Sequence, residues 1–125
     1  MKRIISTPNA PQAIGPYSQA VEANGFVFVS GQIPIVPATG QMPEGIEAQT
    51  EQVMRNIGAI LEAAGLTYSN VVKTTVLLKS IADFATMNGI YAKYFTAECP
   101  ARAAFEVGAL PKGALIEVEV IAAKN

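Results

Sequence analysis

Apolar and polar positions along the chain recur with two periods, close to 2 and close to 3.6, and the elements follow from where each one holds. Residues 17–21 and 26–30 are short runs rich in aromatic and β-branched side chains, with Asn24-Gly25 between them. Asn-Gly in that setting is the strongest short-range hairpin signal, because both central positions of a type I′ turn need positive φ. Residues 32–45 carry Pro34, Pro37, Gly40, Pro43 and Gly45, too many breakers for a regular element, and read as an ordered surface loop. Ile46, Val53, Met54, Ile57, Ile60, Leu61 and Ala64 recur at helical spacing, with Glu47 and Glu51 in the N-terminal half and Gly65 as a stop. Residues 71–79 are apolar or β-branched on both faces, the pattern of a central strand covered on both sides. Ile81, Phe84, Met87, Ile90 or Tyr91, and Tyr94 make a second helical stripe that starts near Ser80 or Asp83 and ends before Pro100. Residues 101–107 and 115–122 read as strands joined by the turn-rich stretch 108–113.

The order ββαβαββ predicts one α+β domain over residues 1–125, a mixed β-sheet with two helices on one face. Two helices cover only one side of such a sheet. The other side keeps apolar surface, and a symmetric partner subunit is the expected cover.

A length of 125 residues, half of them hydrophobic, suffices for one core without staples. The chain has no histidine. That removes Ser-His-Asp and Cys-His nucleophiles, histidine-based metal sites and the usual neutral-pH proton shuttle. Acid-base chemistry is left to carboxylates, Tyr, Lys, backbone and water. The single cysteine, Cys99, allows neither an internal disulfide nor a CxxC metal clip, so a reducing, cytoplasmic location and a packing role for this thiol are expected. Nine basic and ten acidic residues leave a formal net charge of -1, which argues against a nucleic-acid partner. The apolar stretch after Lys2 and Arg3 is only Ile4-Ile5, too short for a signal-peptide core, and no stretch is long enough to span a membrane.

Three places carry candidate chemistry. Arg102 lies among small and apolar neighbours from Pro100 to Phe105, with no adjacent acid, and its planar fork of donors suits a carboxylate. A strand arginine that reaches solvent, or one paired with Glu106 or Glu117, is the structural alternative. In residues 115–121 the alternation puts Glu117 and Glu119 on one face between Leu115 and Ile121, so a partly shielded glutamate able to accept a proton or orient water stands against an exposed sheet edge. The hairpin brings Tyr17 and Ser30 to the same end of its ribbon. There the Ser30-Gly31 step either offers backbone donors to a ligand or simply ends a strand.

Taken together, Ala13-Ile14-Gly15-Pro16-Tyr17-Ser18-Gln19, Phe28-Val29-Ser30-Gly31-Gln32-Ile33-Pro34, Leu61-Glu62-Ala63-Ala64-Gly65-Leu66, Val72-Lys73-Thr74-Thr75-Val76, Phe84-Ala85-Thr86-Met87-Asn88, Pro100-Ala101-Arg102 and Ile116-Glu117-Val118-Glu119 resemble the reactive-intermediate deaminases of the RidA or YjgF type, also known as translation-inhibitor L-PSP proteins. The resemblance covers essentially the whole chain. It implies a chorismate-mutase-like fold, a homotrimer whose sheets line its core, and three ligand clefts between subunits. It also implies cofactor-free and metal-free hydrolysis of 2-imino acids such as 2-iminobutanoate and 2-iminopropanoate, released by pyridoxal-phosphate dehydratases, to 2-oxo acids and ammonia. The family's carboxylate-binding arginine falls on Arg102 and its water-positioning glutamate on Glu117 rather than Glu119. The cleft tyrosine falls on Tyr17, the Ser-Gly wall on Ser30 and Gly31, and the substrate-binding stretch continues through Ala103 and Ala104.

Two departures stand out. Ala104 occupies a position where many deaminase members carry Cys, which excludes thiol chemistry there, and the stretch from Tyr94 to Pro100 is short, with Cys99 where an aromatic is common. The competing functions are a trimeric metabolite sensor without catalysis and an endoribonuclease or translation inhibitor. The presence of both Arg102 and Glu117 argues against the first, and the missing histidine and acidic balance against the second.

Overall fold

The computed structural model describes residues 1–125. Six strands, β1 (Arg3–Ile5), β2 (Ala20–Ala23), β3 (Phe26–Gln32), β4 (Val71–Leu78), β5 (Ala101–Glu106) and β6 (Ile116–Ala123), form one sheet in the order β1-β2-β3-β6-β4-β5. Two helices, α1 (Ile46–Ala63) and α2 (Phe84–Tyr91), join β3 to β4 and β4 to β5. Only the β4–β5 pair is parallel. Both β3 and β4 run antiparallel to β6 between them, so β3-α1-β4 and β4-α2-β5 are both crossover units. Crossovers of one hand put their helices on the same side of a sheet, which gives the two-layer fold expected from the element order.

The local reasons are visible element by element. Asn24 and Gly25 sit at φ 52 and 80, the left-handed pair of a type I′ turn. Helix α1 ends where Gly65 adopts φ 77, with Leu66 N–H donating to Leu61 O at 2.8 Å and Gly65 N–H to Glu62 O at 2.9 Å, a Schellman closure. Val53, Met54, Ile57, Ile60 and Leu61 of α1 and Met87 of α2 are buried against Val27, Val29, Val76, Leu78, Ile116, Val118 and Val120 of the sheet, in one continuous core.

Several expectations are corrected. The first strand of the hairpin starts at Ala20, not Tyr17, because Gly15 at φ 121 and the irregular backbone after it hold residues 15–18 out of the ladder. Strand β1 had no counterpart in the sequence pattern, since three residues give no readable period. The second helical stripe resolves into a 3-10 turn over Ile81–Asp83, eight residues of α2 and further turns, because Gly89 and two β-branched residues weaken it. Strand β4 lies inside the sheet but next to its edge strand rather than at its centre, and within the chain its residues alternate between buried and half-buried from Lys73 to Leu78, so only one side is fully covered. Cys99 is exposed rather than packed, its Sγ 3.5 Å from Phe95 O. No helix is long and apolar enough to cross a membrane.

Candidate active site

A β-bulge creates the first half of the site. Val29 pairs with Val120 and Gln32 with Val118, so Ser30 and Gly31 together oppose the single Glu119. The bulge brings Gly31 against the Glu117 carboxylate, so closely that a Cβ at Gly31 would collide with Oε2. Glycine at this position leaves the carboxylate where it is, by contact and not by its dihedral angles.

Around this point lies a cleft of about 650 Å³ lined among others by Tyr17, Ser30, Gly31, Glu117, Glu119 and Lys112. Four of the residues singled out from sequence, Tyr17, Ser30, Gly31 and Glu117, thus converge. The Glu117 side chain makes no hydrogen bond or ion pair within the chain, and its pKa is raised above the ordinary carboxylate value by burial first and by the charge of Glu119 second. Of the two glutamates it is the sheltered one, and Glu119 is exposed. Ser30 Oγ donates to Ser18 O at 2.6 Å and Ser30 N–H to Gln19 O at 2.9 Å, so its hydroxyl proton ties down the segment that presents Tyr17.

Buried amides, which sequence reasoning missed, hold the irregular walls of the cleft. Gln19 Oε1 accepts from Thr7 N–H at 2.7 Å while its Nε2 donates to Thr7 O at 3.0 Å and Pro11 O at 2.8 Å. Asn56 Nδ2 of α1 donates to Ile33 O at 3.2 Å and Ile35 O at 3.0 Å. Gln49 joins Pro43 O to Leu115 N–H. Segments without a ladder must satisfy their backbone groups in some other way, and side-chain amides supply both a donor and an acceptor. The one sequence signal for them is a polar residue on the apolar stripe of a helix or beside a strand, as at Gln49 and Asn56.

Arg102 lies elsewhere. It pairs with Thr74 on β4, which pairs with Val120 on β6, so its side chain leaves the sheet on the helix side, whereas Glu117 leaves on the other. Glu117 is level with Leu77 and Phe105, two strands across and three residues along from Arg102, a separation on the order of 14 Å between backbones. Arg102 makes no ion pair with Glu106 or Glu117, and Glu106 instead accepts from Ile81 N–H at 2.9 Å. Ala104 packs on the core beside Arg102, and Ala103 sits on the opposite, open face. One chain therefore carries the two features apart, a guanidinium at the sheet edge and a carboxylate-bearing cleft around the bulge, on opposite faces of the sheet.

The description Endoribonuclease L-PSP belongs to the protein family whose sequence pattern matches residues 7–124, and the chain belongs to this family. Its members include reactive-intermediate deaminases. The human 2-iminobutanoate/2-iminopropanoate deaminase is 52% identical over 98% of this chain and 90% of its own. Reactive Intermediate Deaminase A of Arabidopsis thaliana, a chloroplastic protein, is 55% identical over 97% of this chain, which spans 65% of that relative's length. Among solved structures, the YjgF gene product of E. coli superposes with a TM-score of 0.95 at 48% identity, covering 98% of this chain and 99% of that one. E. coli TdcF with bound serine gives a TM-score of 0.95 at 41% identity, with the same coverage.

Proposed function

We propose that this protein hydrolyses 2-imino acids, 2-iminobutanoate and 2-iminopropanoate among them, to 2-oxo acids and ammonia, with no metal or organic cofactor, in the cytoplasm. Full-length relatives near 50% identity that carry the deaminase name support the reaction, and the observation that carries the site is a guanidinium with no carboxylate partner. Arg102 holds the substrate carboxylate through two parallel hydrogen bonds. Glu117 orients a water toward the C=N carbon, accepts one of its protons as the C–O bond forms and passes it to nitrogen, then takes the remaining hydroxyl proton as the C=O forms, the C–N bond breaks and the protonated nitrogen leaves as ammonia. A carboxylate whose pKa burial raises above the ordinary value holds a proton more readily and suits both halves of that transfer. Tyr17, Ser30 and Gly31 wall the cleft, and Ala103 and Ala104 shape the approach to Arg102.

Because the guanidinium and the cleft face away from one another within a chain, the working pocket joins Arg102 of one copy to the bulge cleft of a second. A homotrimer, with three such clefts between subunits and the open sheet faces turned inward, meets this requirement and covers the exposed apolar face. TdcF, crystallised with serine, shows that a relative takes a small molecule bearing a carboxylate.

The test is an assay in which threonine dehydratase generates 2-iminobutanoate while semicarbazide competes for the imine. Wild type is expected to accelerate 2-oxobutanoate release, and Arg102→Ala to lower kcat/KM about 100-fold, the scale of a lost charge-assisted pair of hydrogen bonds. No acceleration by wild type, with binding of 2-oxobutanoate retained, would replace catalysis by ligand sensing.

A further inference from the structure

Arg102 sits on an exposed edge strand, where a long cationic side chain normally samples many rotamers. Here its guanidinium is fixed from three directions. Its Nη1 donates to Asn88 Oδ1 at 2.7 Å, and its Cζ lies 4.8 Å from the ring centroid of Tyr91 and 5.4 Å from that of Phe84. Phe84, Asn88 and Tyr91 follow one another at i, i+4 and i+7, so a single stripe of α2 makes the whole cradle. The cradle is anchored in the core. Tyr91 is buried, its hydroxyl is 2.8 Å from Thr74 Oγ1, and its ring lies 4.7 Å from Phe95. Thr74 is in turn the register partner of Arg102 on β4.

All these contacts are electrically neutral. An amide oxygen and two ring faces orient a cation without cancelling its charge. Only Nη1 is engaged, which leaves the Nε and Nη2 edge without a partner and shaped for a carboxylate. Resting on the proposed reaction, we propose that Asn88 is a positioning residue that sets the orientation of Arg102 while keeping its charge unspent for the substrate. An aspartate at position 88 has the same shape and the opposite effect, because its carboxylate would form a permanent ion pair and compete with substrate. Neutrality of the acceptor, not its hydrogen-bonding ability alone, is what substrate binding requires.

The experiment compares Asn88→Asp and Asn88→Ala with wild type in the 2-iminobutanoate assay, together with calorimetric titration of 2-oxobutanoate. Asn88 is exposed, so both variants are expected to melt within a few degrees of wild type. Asn88→Asp is expected to raise KM and weaken 2-oxobutanoate binding about tenfold, with kcat changed less than about threefold, and Asn88→Ala to do so by a smaller factor. A wild-type KM and affinity in Asn88→Asp, an alanine variant worse than the aspartate one, or a collapse of melting temperature in both would each overturn the proposal. If wild type hydrolyses no imine yet binds 2-oxobutanoate, the reaction fails while the binding series still decides the role of Asn88. If it does neither, both readings fall.

Discussion

Burial and the Glu119 charge disfavour the ionised form of Glu117, so this residue takes up a proton at a higher pH than an ordinary glutamate. Between the unfolded value of 4.5 and the raised folded one, the native state binds more protons than the unfolded state. Stability contributed by this group is therefore present at low pH and falls as pH rises through that window, and above it the ionised carboxylate is a net cost. Glu117→Gln is accordingly expected to raise the melting temperature at neutral pH, with the advantage shrinking toward pH 4.5, while kcat/KM drops about 100-fold. Thermal melts across pH, set beside the imine assay, check both halves of this exchange. At Gly31 the collision partner is the far end of a mobile side chain, so the fold has room to accommodate a methyl group and the carboxylate does not. Gly31→Ala is expected to keep wild-type stability within about 1 kcal/mol and to lose activity at least about tenfold, because Glu117 must swing away. Equal losses of stability and activity would contradict the contact argument.

Helices and strands here owe their ends to local signals and their packing to the apolar core, while buried amides hold the irregular segments between them. The 3.6-residue recurrence from Ile46 to Ala64, the Asn24-Gly25 turn and the Gly65 stop were all legible, because each depends on neighbours in sequence. Residues 7–18 were not, since no ladder holds them and their order derives from Gln19, which reaches Thr7 and Pro11. Replacing that side chain strands several buried backbone groups at once. Gln19→Ala is expected to cost about 2–4 kcal/mol in denaturant unfolding and to reduce activity as the wall carrying Tyr17 loosens. Helix α2 shows the reverse case. Its sequence made a poor helix, yet its single stripe of Phe84, Asn88 and Tyr91 organises the arginine, and the β4-α2-β5 crossover decides that this stripe faces β5.

Across the molecule, one sheet face is packed under α1 and α2 while the other exposes the large apolar side chains Phe28 at 42% and Phe105 at 47%, the kind of surface that marks an interface. Arg102 and Glu117 leave the sheet on opposite faces, so the proposed site requires a second copy of the chain. An inactive Arg102→Ala chain co-refolded with an inactive Glu117→Gln chain is expected to recover roughly a quarter of wild-type activity, the fraction of shared clefts that draw both intact residues from random cyclic assembly. Recovery is measured in the imine assay after sizing confirms mixed assembly, and none at all would place the site within a single chain. By itself the sequence determined the order of the elements from the hairpin onward, the two-layer class, the absence of histidine chemistry and the identity of the few residues suited to a carboxylate and a water, because these depend on composition, on period and on patterns spaced along the chain. Only the tertiary structure decided that Ser30 and Gly31 bulge over Glu117, that neutral partners hold Arg102, and that arginine and glutamate point to opposite sides. Those facts depend on strand register and on the face from which each side chain leaves the sheet, which are set by pairing between segments far apart in sequence.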